Sequence, residues 1–351
     1  MNFKVGKVDF TPNRTVVIAE AGVNHLGDLD LAERLIASAS RSGVDIVKFQ
    51  TYTASKLTTR NAPRFWNWQG EEKADGTQFD SYSKLDKFGK SEYAELIKMC
   101  GRYSVEFMST PFDVDAVEML FDLGVGGFKI ASCDITNKEL LEEVARTKLP
   151  ILLSTGAANI DEIQRALETI ENEGSNDIAI LHCTLCYPTK DEDVNLSALE
   201  DLRENFPEYL LGLSDHSLGT SAPALSVMLG ARVIEKHYTC DKTLPLSADH
   251  WLSVDESEMT ELVSKVRQAE KMFGIGKKVV LPSEQLAREN ARRSLVAAKR
   301  INEGEVITAS SVTAKRPGTG ISPFEIDLVL GRKALKTLEV DTLLTNDILG
   351  R

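Results

Sequence analysis

The sequence predicts an α/β protein, a closed (β/α)8 barrel of the TIM type over residues 1–275, joined by a linker over 276–293 to a small separate domain over 294–351. Three observations predict it. Strand-like and helix-like runs alternate from about Thr15 to about Gly274, giving eight β–α units. The first turn, Ala21-Gly22-Val23-Asn24-His25-Leu26-Gly27, lacks the G-x-G-x-x-G that commonly opens a doubly wound sheet. Polar side chains also collect at the C-terminal ends of the strand-like runs, the rim where barrel enzymes place catalytic groups.

Taken in order, the strand-like runs are 16–20, 45–50, 105–109, 127–131, 150–154, 178–183, 209–214 and 233–238. Amphipathic runs lie between them, among them 29–42, 114–123, 138–147, 160–171, 197–205 and 221–229. Their apolar residues recur at intervals of three and four, as a helix covering a sheet requires. Two segments break the rhythm. Residues 51–90 are polar and rich in Trp, Gly and Asp, and they follow the second strand on the side where barrels keep active-site loops. Residues 275–293 carry paired lysines, a proline and a charged run, and read as the linker. Beyond it, short β-type runs at 294–298, 305–307, 333–337 and 341–344 are punctuated by Gly304, Pro317, Gly318, Gly320 and Pro323. A domain of this size is marginal alone and is expected to dock on something.

Composition narrows the function. The chain has 351 residues, 42% hydrophobic and 27% charged, which is ordinary for a soluble globular protein. Its net charge of −12 argues against a nucleic-acid or anionic-membrane surface, though not against a local cationic pocket. No apolar run has the length of a membrane span, and the N-terminus lacks the pattern of a signal peptide. Five widely spread cysteines fit reduced thiols in a cytoplasm better than a disulfide framework.

The chain is organised around Val233-Ile234-Glu235-Lys236-His237-Tyr238-Thr239. Glu235 and His237 are two apart, so on a strand they point the same way. A buried carboxylate and imidazole side by side are costly unless they hold a metal or do chemistry. Leu211-Gly212-Leu213-Ser214-Asp215-His216 places a second histidine at the end of the preceding strand. One histidine could simply cap its strand; two at matching ends favour a metal site. Lys48 between Val47 and Phe49, and Lys129 between Phe128 and Ile130, are lysines inside apolar strands, placed to hold an anion or act as nucleophiles. With Ser132, Ser154 and Ser214 they could cradle a phosphate plus a carboxylate.

Seven ordered motifs resemble the sialic acid synthase family, which includes N-acetylneuraminate, legionaminic acid and pseudaminic acid synthases. They are Ile18-Ala19-Glu20-Ala21-Gly22-Val23-Asn24-His25, Val47-Lys48-Phe49-Gln50-Thr51, Ser109-Thr110-Pro111-Phe112-Asp113, Phe128-Lys129-Ile130-Ala131-Ser132, His182-Cys183-Thr184, Ser214-Asp215-His216-Ser217 and Ile234-Glu235-Lys236-His237. The end of the chain, with Lys315-Arg316-Pro317-Gly318, resembles that family's antifreeze-like (SAF, β-clip) domain. The resemblance implies condensation of phosphoenolpyruvate with an N-acetylated amino sugar, N-acetylmannosamine or a diacetamido-trideoxyhexose. The products are a nine-carbon 2-keto acid and phosphate, formed with C–O cleavage.

By the same resemblance, His216 and His237 bind a divalent metal, Mn2+ in the first place with Mg2+ or Co2+ as alternatives. Lys48, Lys129, Ser132, Ser154 and Ser214 hold phosphoenolpyruvate, and Glu20 is the main acid/base. Gln50, Thr110, Tyr187 and Asp249 contact the sugar. Arg316 reaches the N-acetyl group from the small domain of a partner chain, which makes the protein a homodimer with exchanged small domains. Some relatives have Asn where this chain has Leu185, so one contact to phosphoenolpyruvate is expected to be missing. The segment 241–250 is one residue longer than usual before Asp249.

Other signals carry less. Cys183-Thr184-Leu185-Cys186 is a lone C-x-x-C ending a strand and is read as structural. Trp66 and Trp68 could stack on a sugar or form a small loop core. Arg292-Arg293 could bind an anion or make an interdomain salt bridge. Lys315, Arg316 and Glu325 argue against a flat apolar ice-binding face. Two competing functions remain: a Schiff-base aldolase using Lys129 or Lys48, which leaves the paired histidines unexplained, and a barrel that only binds an anionic sugar.

Overall fold

The structure, a computed structural model, describes residues 2–66, 76–245, 247 and 249–350. The chain forms two compact units, Met1–Gly274 and Ile275–Arg351.

The first unit opens with an antiparallel hairpin, β1 (Phe3–Val5) and β2 (Val8–Phe10). The eight expected strands follow as β3 (Val16–Gly22), β4 (Ile46–Thr51), β5 (Glu106–Pro111), β6 (Phe128–Ile130), β7 (Ile151–Ser154), β8 (Ile178–Cys183), β9 (Leu210–Asp215) and β10 (Val233–His237). They pair in parallel in sequence order, and β10 closes on β3 to complete the barrel. The helices of this unit are α1 (Leu29–Arg41), α2 (Ala54–Leu57), α3 (Gln78–Tyr82), α4 (Lys90–Arg102), α5 (Val114–Asp122), α6 (Lys138–Arg146), α7 (Ile160–Asn172), α8 (Ala198–Asn205), α9 (Ser221–Met228) and α10 (Glu256–Phe273). Two long ones, α4 and α10, were not among the amphipathic runs singled out from sequence. In α10 an Asp255/Glu258 capping box starts the helix, Met259, Leu262, Val266 and Ala269 form its buried stripe, and Gly274 at φ +66° ends it. The described part of segment 51–90 has helices of its own. It holds α2 and α3, the latter begun by a Thr77/Asp80 capping box. Trp68 lies outside the described residues.

The two-residue period of the strands decides which side chains face the barrel axis. Val17, Ala19 and Ala21 of β3, Val47 and Phe49 of β4, and Leu211 and Leu213 of β9 pack outward against the helices. The alternate positions face inward. At the N-terminal end they are apolar: Val16, Ile18, Ile46, Met108, Leu152, Ala179, Leu181, Leu210 and Val233. Phe3, Val5 and Phe10 of the hairpin complete this inner cluster, with Phe3 and Phe10 stacked at 4.9 Å. Burying each Val, Leu, Ile, Met or Phe side chain of this cluster contributes about 1.5–3 kcal/mol. The hairpin therefore plugs one end, and the same inward rows become polar at the other.

The second unit has its own core, including Leu295, Ile301, Ile307, Val312, Leu338 and Leu344. Its one described sheet pairs β11 (Ser294–Ala297) with β12 (Val312–Lys315), a strand the sequence had not marked. The runs expected at 305–307, 333–337 and 341–344 appear only as isolated bridges, such as Val306 with Lys333 and Val296 with Leu343. The segment read as a linker contains α11 (Gln285–Ala291) and packs with this unit: Gly318 N donates to Glu289 O at 2.6 Å. A single turn, α12 (Ile326–Val329), follows.

Candidate active site

The inward rows end in polar residues because each strand gains one or two residues beyond its apolar base. Ile18 leads to Glu20, Ile46 to Lys48 and Gln50, Met108 to Thr110, Leu152 to Ser154, and Val233 to Glu235 and His237. They surround a cavity of about 350 Å³. Glu20, Lys48, Gln50, Thr110, Lys129, Ser132, Ser154, Tyr187, Ser214, His216, His237 and Asp249 all line it, so the barrel brings together every site residue predicted within it. Arg316 belongs to the second unit, where it is exposed just after β12.

A buried charge cluster forms the floor. Lys48 Nζ lies 2.7 Å from Glu20 Oε2 and 3.2 Å from Glu235 Oε1, and it donates to Thr110 Oγ1 at 2.7 Å. Lys129 Nζ lies 3.5 Å from Glu235 Oε2 and donates to Ile130 O at 3.0 Å. Gln50 Nε2 donates to Glu20 Oε1 at 2.8 Å. Gly22 at φ +52° makes room there, since a Cβ would sit 3.3 Å from the Gln50 amide nitrogen. The protonation states follow from position. Burial pushes the Lys48 amine down, but Glu20 and Glu235 outweigh it and leave the amine above its ordinary value. Burial wins at Lys129, where Lys48 adds repulsion, and its amine falls below the ordinary value. Burial would raise Glu235, but Lys129 and Lys48 hold it far below the usual carboxylate range. The sequence pairs Glu235 with His237 as a carboxylate that holds a metal or does chemistry; the structure sets it between Lys48 and Lys129, which nothing along the chain shows.

Hydroxyls flank this cluster. Ser132 Oγ accepts from Gly156 N at 2.9 Å, and Ser154 Oγ is buried without a hydrogen-bond partner. A buried hydroxyl left unpaired in the cavity that also holds the two lysines suits an anion with several acceptor oxygens.

The two histidines face one another at the ends of β9 and β10, with ring centroids 5.3 Å apart. Tyr187 packs on His216 at 4.1 Å, and burial raises its phenol well above the ordinary value. His216 Nδ1 lies 3.1 Å from Thr184 O and 3.7 Å from Cys183 Sγ; the tautomer that donates from Nδ1 to this carbonyl would leave the Nε2 lone pair for a cation. His237 Nδ1 is buried with no hydrogen-bond partner; Asp249 Oδ2, at 3.8 Å, is too far. Among the described residues no group of three or more His, Cys, Asp or Glu forms a ready-made cage. The donor set fits a cation held by two imidazoles with its other positions open. Cys183, read as structural, is buried with Sγ 3.7 Å from His216 Nδ1, while Cys186 is exposed; all five cysteines are free.

The mouth is aromatic. Tyr52, Trp66, Tyr82, Phe112 and Trp251 line it, with Trp66 packed on Tyr82 at 5.6 Å and Tyr52 on Tyr82 at 5.4 Å. Trp66 therefore both packs within the loop and faces the cavity. Lys48 and Lys129 are the only Lys or Arg side chains among the described lining residues, and Leu185 presents an apolar side chain to the same space. Asp249 is positioned by a relay: its N–H points at Ser247 Oγ (3.3 Å), which donates to Asn24 Oδ1 at 2.7 Å.

Comparison with known proteins agrees with this geometry. The NeuB family matches residues 35–278 and the SAF domain matches residues 292–349. An N,N'-diacetyllegionaminic acid synthase of Legionella pneumophila is 39% identical, over 93% of this chain and 92% of that protein. An uncharacterized protein of Methanocaldococcus jannaschii is 40% identical over 96% of this chain and 95% of its own. Among solved structures, the N-acetylneuraminic acid synthetase of Leptospira borgpetersenii serovar Hardjo-bovis, in complex with citrate, superposes with a TM-score of 0.72 at 37% identity, covering 82% of this chain and 95% of that one. A barrel of this topology, ending in the SAF domain and carrying these motifs over nearly its whole length, belongs to the NeuB family, and the chain is a sialic-acid-type synthase.

Proposed function

We propose that the enzyme condenses phosphoenolpyruvate with an unphosphorylated N-acetylated amino sugar, N-acetylmannosamine or a diacetamido-trideoxyhexose, giving a nine-carbon 2-keto sugar acid and inorganic phosphate. The observation that carries this reading is the meeting, in one cavity, of two buried lysines, an unpaired serine hydroxyl and a facing imidazole pair. Phosphoenolpyruvate lies against Lys48, Lys129, Ser132, Ser154 and Ser214. Lys48 then shares its charge between the anion and Glu20, which frees the Glu20 carboxylate to act. C3 of the enol attacks the sugar's aldehyde carbon, and C2 gains oxocarbenium character. Glu20 takes a proton from the water that adds to C2. The C2–O bond to phosphate breaks and phosphate leaves with the bridging oxygen, the C2 hydroxyl gives its proton to the departing phosphate and becomes the keto oxygen, and the proton held by Glu20 passes to the former aldehyde oxygen, which becomes a hydroxyl. Gln50, Thr110, Tyr187 and Asp249 orient the sugar, and the aromatic mouth covers its apolar face. His216 and His237 would hold a divalent cation, Mn2+ first and Mg2+ or Co2+ as substitutes, which would polarise the aldehyde.

The active assembly in this proposal is a homodimer in which Arg316 of one chain reaches the sugar bound in the other. Exposed Ile275, Val279, Val280, Leu281 and Leu286 offer apolar surface for such an exchange. The test is phosphate release from phosphoenolpyruvate with Mn2+ and a panel of amino sugars. Release with a neutral N-acetylated sugar and not with its 6-phosphate supports the reading, and no release with any sugar sinks it. A Schiff-base aldolase is a second reading, favoured by the lowered Lys129 amine. Borohydride with pyruvate would then trap a covalent adduct on Lys129, and none is expected.

A further inference from the structure

Between the functional residues of β9 and β10 stand two that face the other way. Ser214 and His216 flank Asp215, and Glu235 and His237 flank Lys236. By the strand period, Asp215 and Lys236 fall in the outward rows, with Leu213 before the one and Ile234 and Tyr238 around the other, all packed in the layer between barrel and helices. They are directly paired residues across β9 and β10. Lys236 Nζ lies 2.6 Å from Asp215 Oδ2, and both side chains are almost wholly buried, 1% and 2% exposed. The same amine donates to Ser217 O, and Asp215 Oδ1 accepts from Ser217 N at 3.0 Å. Ser217 bridges in turn to Thr189, whose N–H donates to His216 O at 2.9 Å. The ion pair thus grips the backbone on both sides of His216 and is covalently next to His237.

Such a pair is a poor device for stability. Two charges taken from water pay a large desolvation cost, and apolar replacements of similar volume are often neutral or stabilising. Its best attested use is to fix register. A slip of one residue between β9 and β10 would turn one histidine to the outer face. Fully satisfied and buried, this pair makes that slip leave two charges unpaired in an apolar layer.

We propose that Asp215 and Lys236 are positioning residues for the His216/His237 cation site, holding the two strand ends so that both imidazoles reach one ion. The proposal rests on the reading of that histidine pair as a cation site, and its test separates the two. The probe is Mn2+ alone, with binding to the full chain followed by the electron paramagnetic resonance signal of the free ion and folding by thermal denaturation. In the double variant Asp215→Asn/Lys236→Met both charges go, the asparagine keeps acceptors and donors for Ser217, and methionine fills the lysine stem. It is expected to melt within a few degrees of wild type yet bind Mn2+ about 10- to 100-fold more weakly, the usual cost of losing a partner that orients metal ligands. A merely structural pair would move the two readouts together or move only the melt. Wild-type Mn2+ affinity in the folded double variant overturns the proposal. If the double variant does not fold, Asp215→Asn alone, which preserves shape, is measured instead, and wild-type affinity there overturns it equally. If wild type binds no Mn2+, or binds it as tightly after His216→Ala, the reading of the histidines fails before the ion pair is at issue.

Discussion

Glu235→Gln probes the floor of the cavity. The carboxylate stands 3.2 Å from Lys48 and 3.5 Å from Lys129, and all three side chains are no more than 6% exposed. At such separations each attraction is worth several kcal/mol at the effective dielectric of a protein site, set against the desolvation of all three charges. Removing one partner of a buried pair costs about 3–5 kcal/mol, because the charge left behind stays buried. Glutamine keeps the volume and one acceptor, so the lower end, about 3 kcal/mol, is expected. At a few degrees per kcal/mol for a unit of this size, that is a fall in Tm of about 6–12 °C at pH 7. The pH dependence has a fixed sign. The Glu235 carboxyl titrates below its ordinary 4.5 in the folded chain, so its contribution is complete above that value and is lost as pH falls through the lowered one. Wild-type and variant melting curves should therefore converge on acidification. Scanning calorimetry at a series of pH values measures both effects. A variant melting within about 2 °C of wild type at pH 7 would show that the cluster does not carry the energetics assigned to it.

Three further outcomes follow from the same structure. Glu20→Gln should lower kcat about a hundredfold or more while leaving phosphoenolpyruvate affinity near wild type, and an unchanged kcat in steady-state assays would remove Glu20 from the chemistry. Burial pushes the His25 imidazole down to about 4 from 6.5, so the unfolded chain takes up a proton first and stability falls by about 3 kcal/mol as pH drops across that interval. Denaturation at stepped pH should show this slope, and His25→Gln should flatten it. Mixing inactive Arg316→Ala and Glu20→Gln chains should restore about a quarter of wild-type activity if chains exchange at random and Arg316 acts across the dimer; demonstrated exchange without recovery would place Arg316 elsewhere.

Much of the barrel was legible because period-2 and period-3.6 patterns are local. Runs such as Ile178–Cys183, apolar in both directions, announce a strand buried on two faces, and the charged residue ending many such runs announces the rim. The hairpin at Phe3–Val5 and Val8–Phe10 was not legible, since three-residue strands show no period and their burial depends on the N-terminal end of the barrel that they plug. The small unit misled for a related reason: its β-type runs meet others through single bridges, while Val312–Lys315 buries only Val312 and ends in a lysine. At the site, residue types and strand ends could be read along the chain, but partners could not. The strand period alone sets Lys236 opposite Glu235 and His237, but nothing along the chain shows that its partner there is Asp215.

In the proposed reaction phosphoenolpyruvate is cleaved between carbon and oxygen while a carbon–carbon bond forms. Phosphoenolpyruvate carrying ¹⁸O only in its C–O–P bridge tests it directly, with turnover on a neutral N-acetylated amino sugar and mass spectrometry of both products. Cleavage between carbon and oxygen puts the label in the released phosphate and leaves a 2-keto acid whose C2 oxygen comes from water. Label retained on C2 of the sugar acid, with phosphate taking its new oxygen from water, would mean attack at phosphorus and would contradict it.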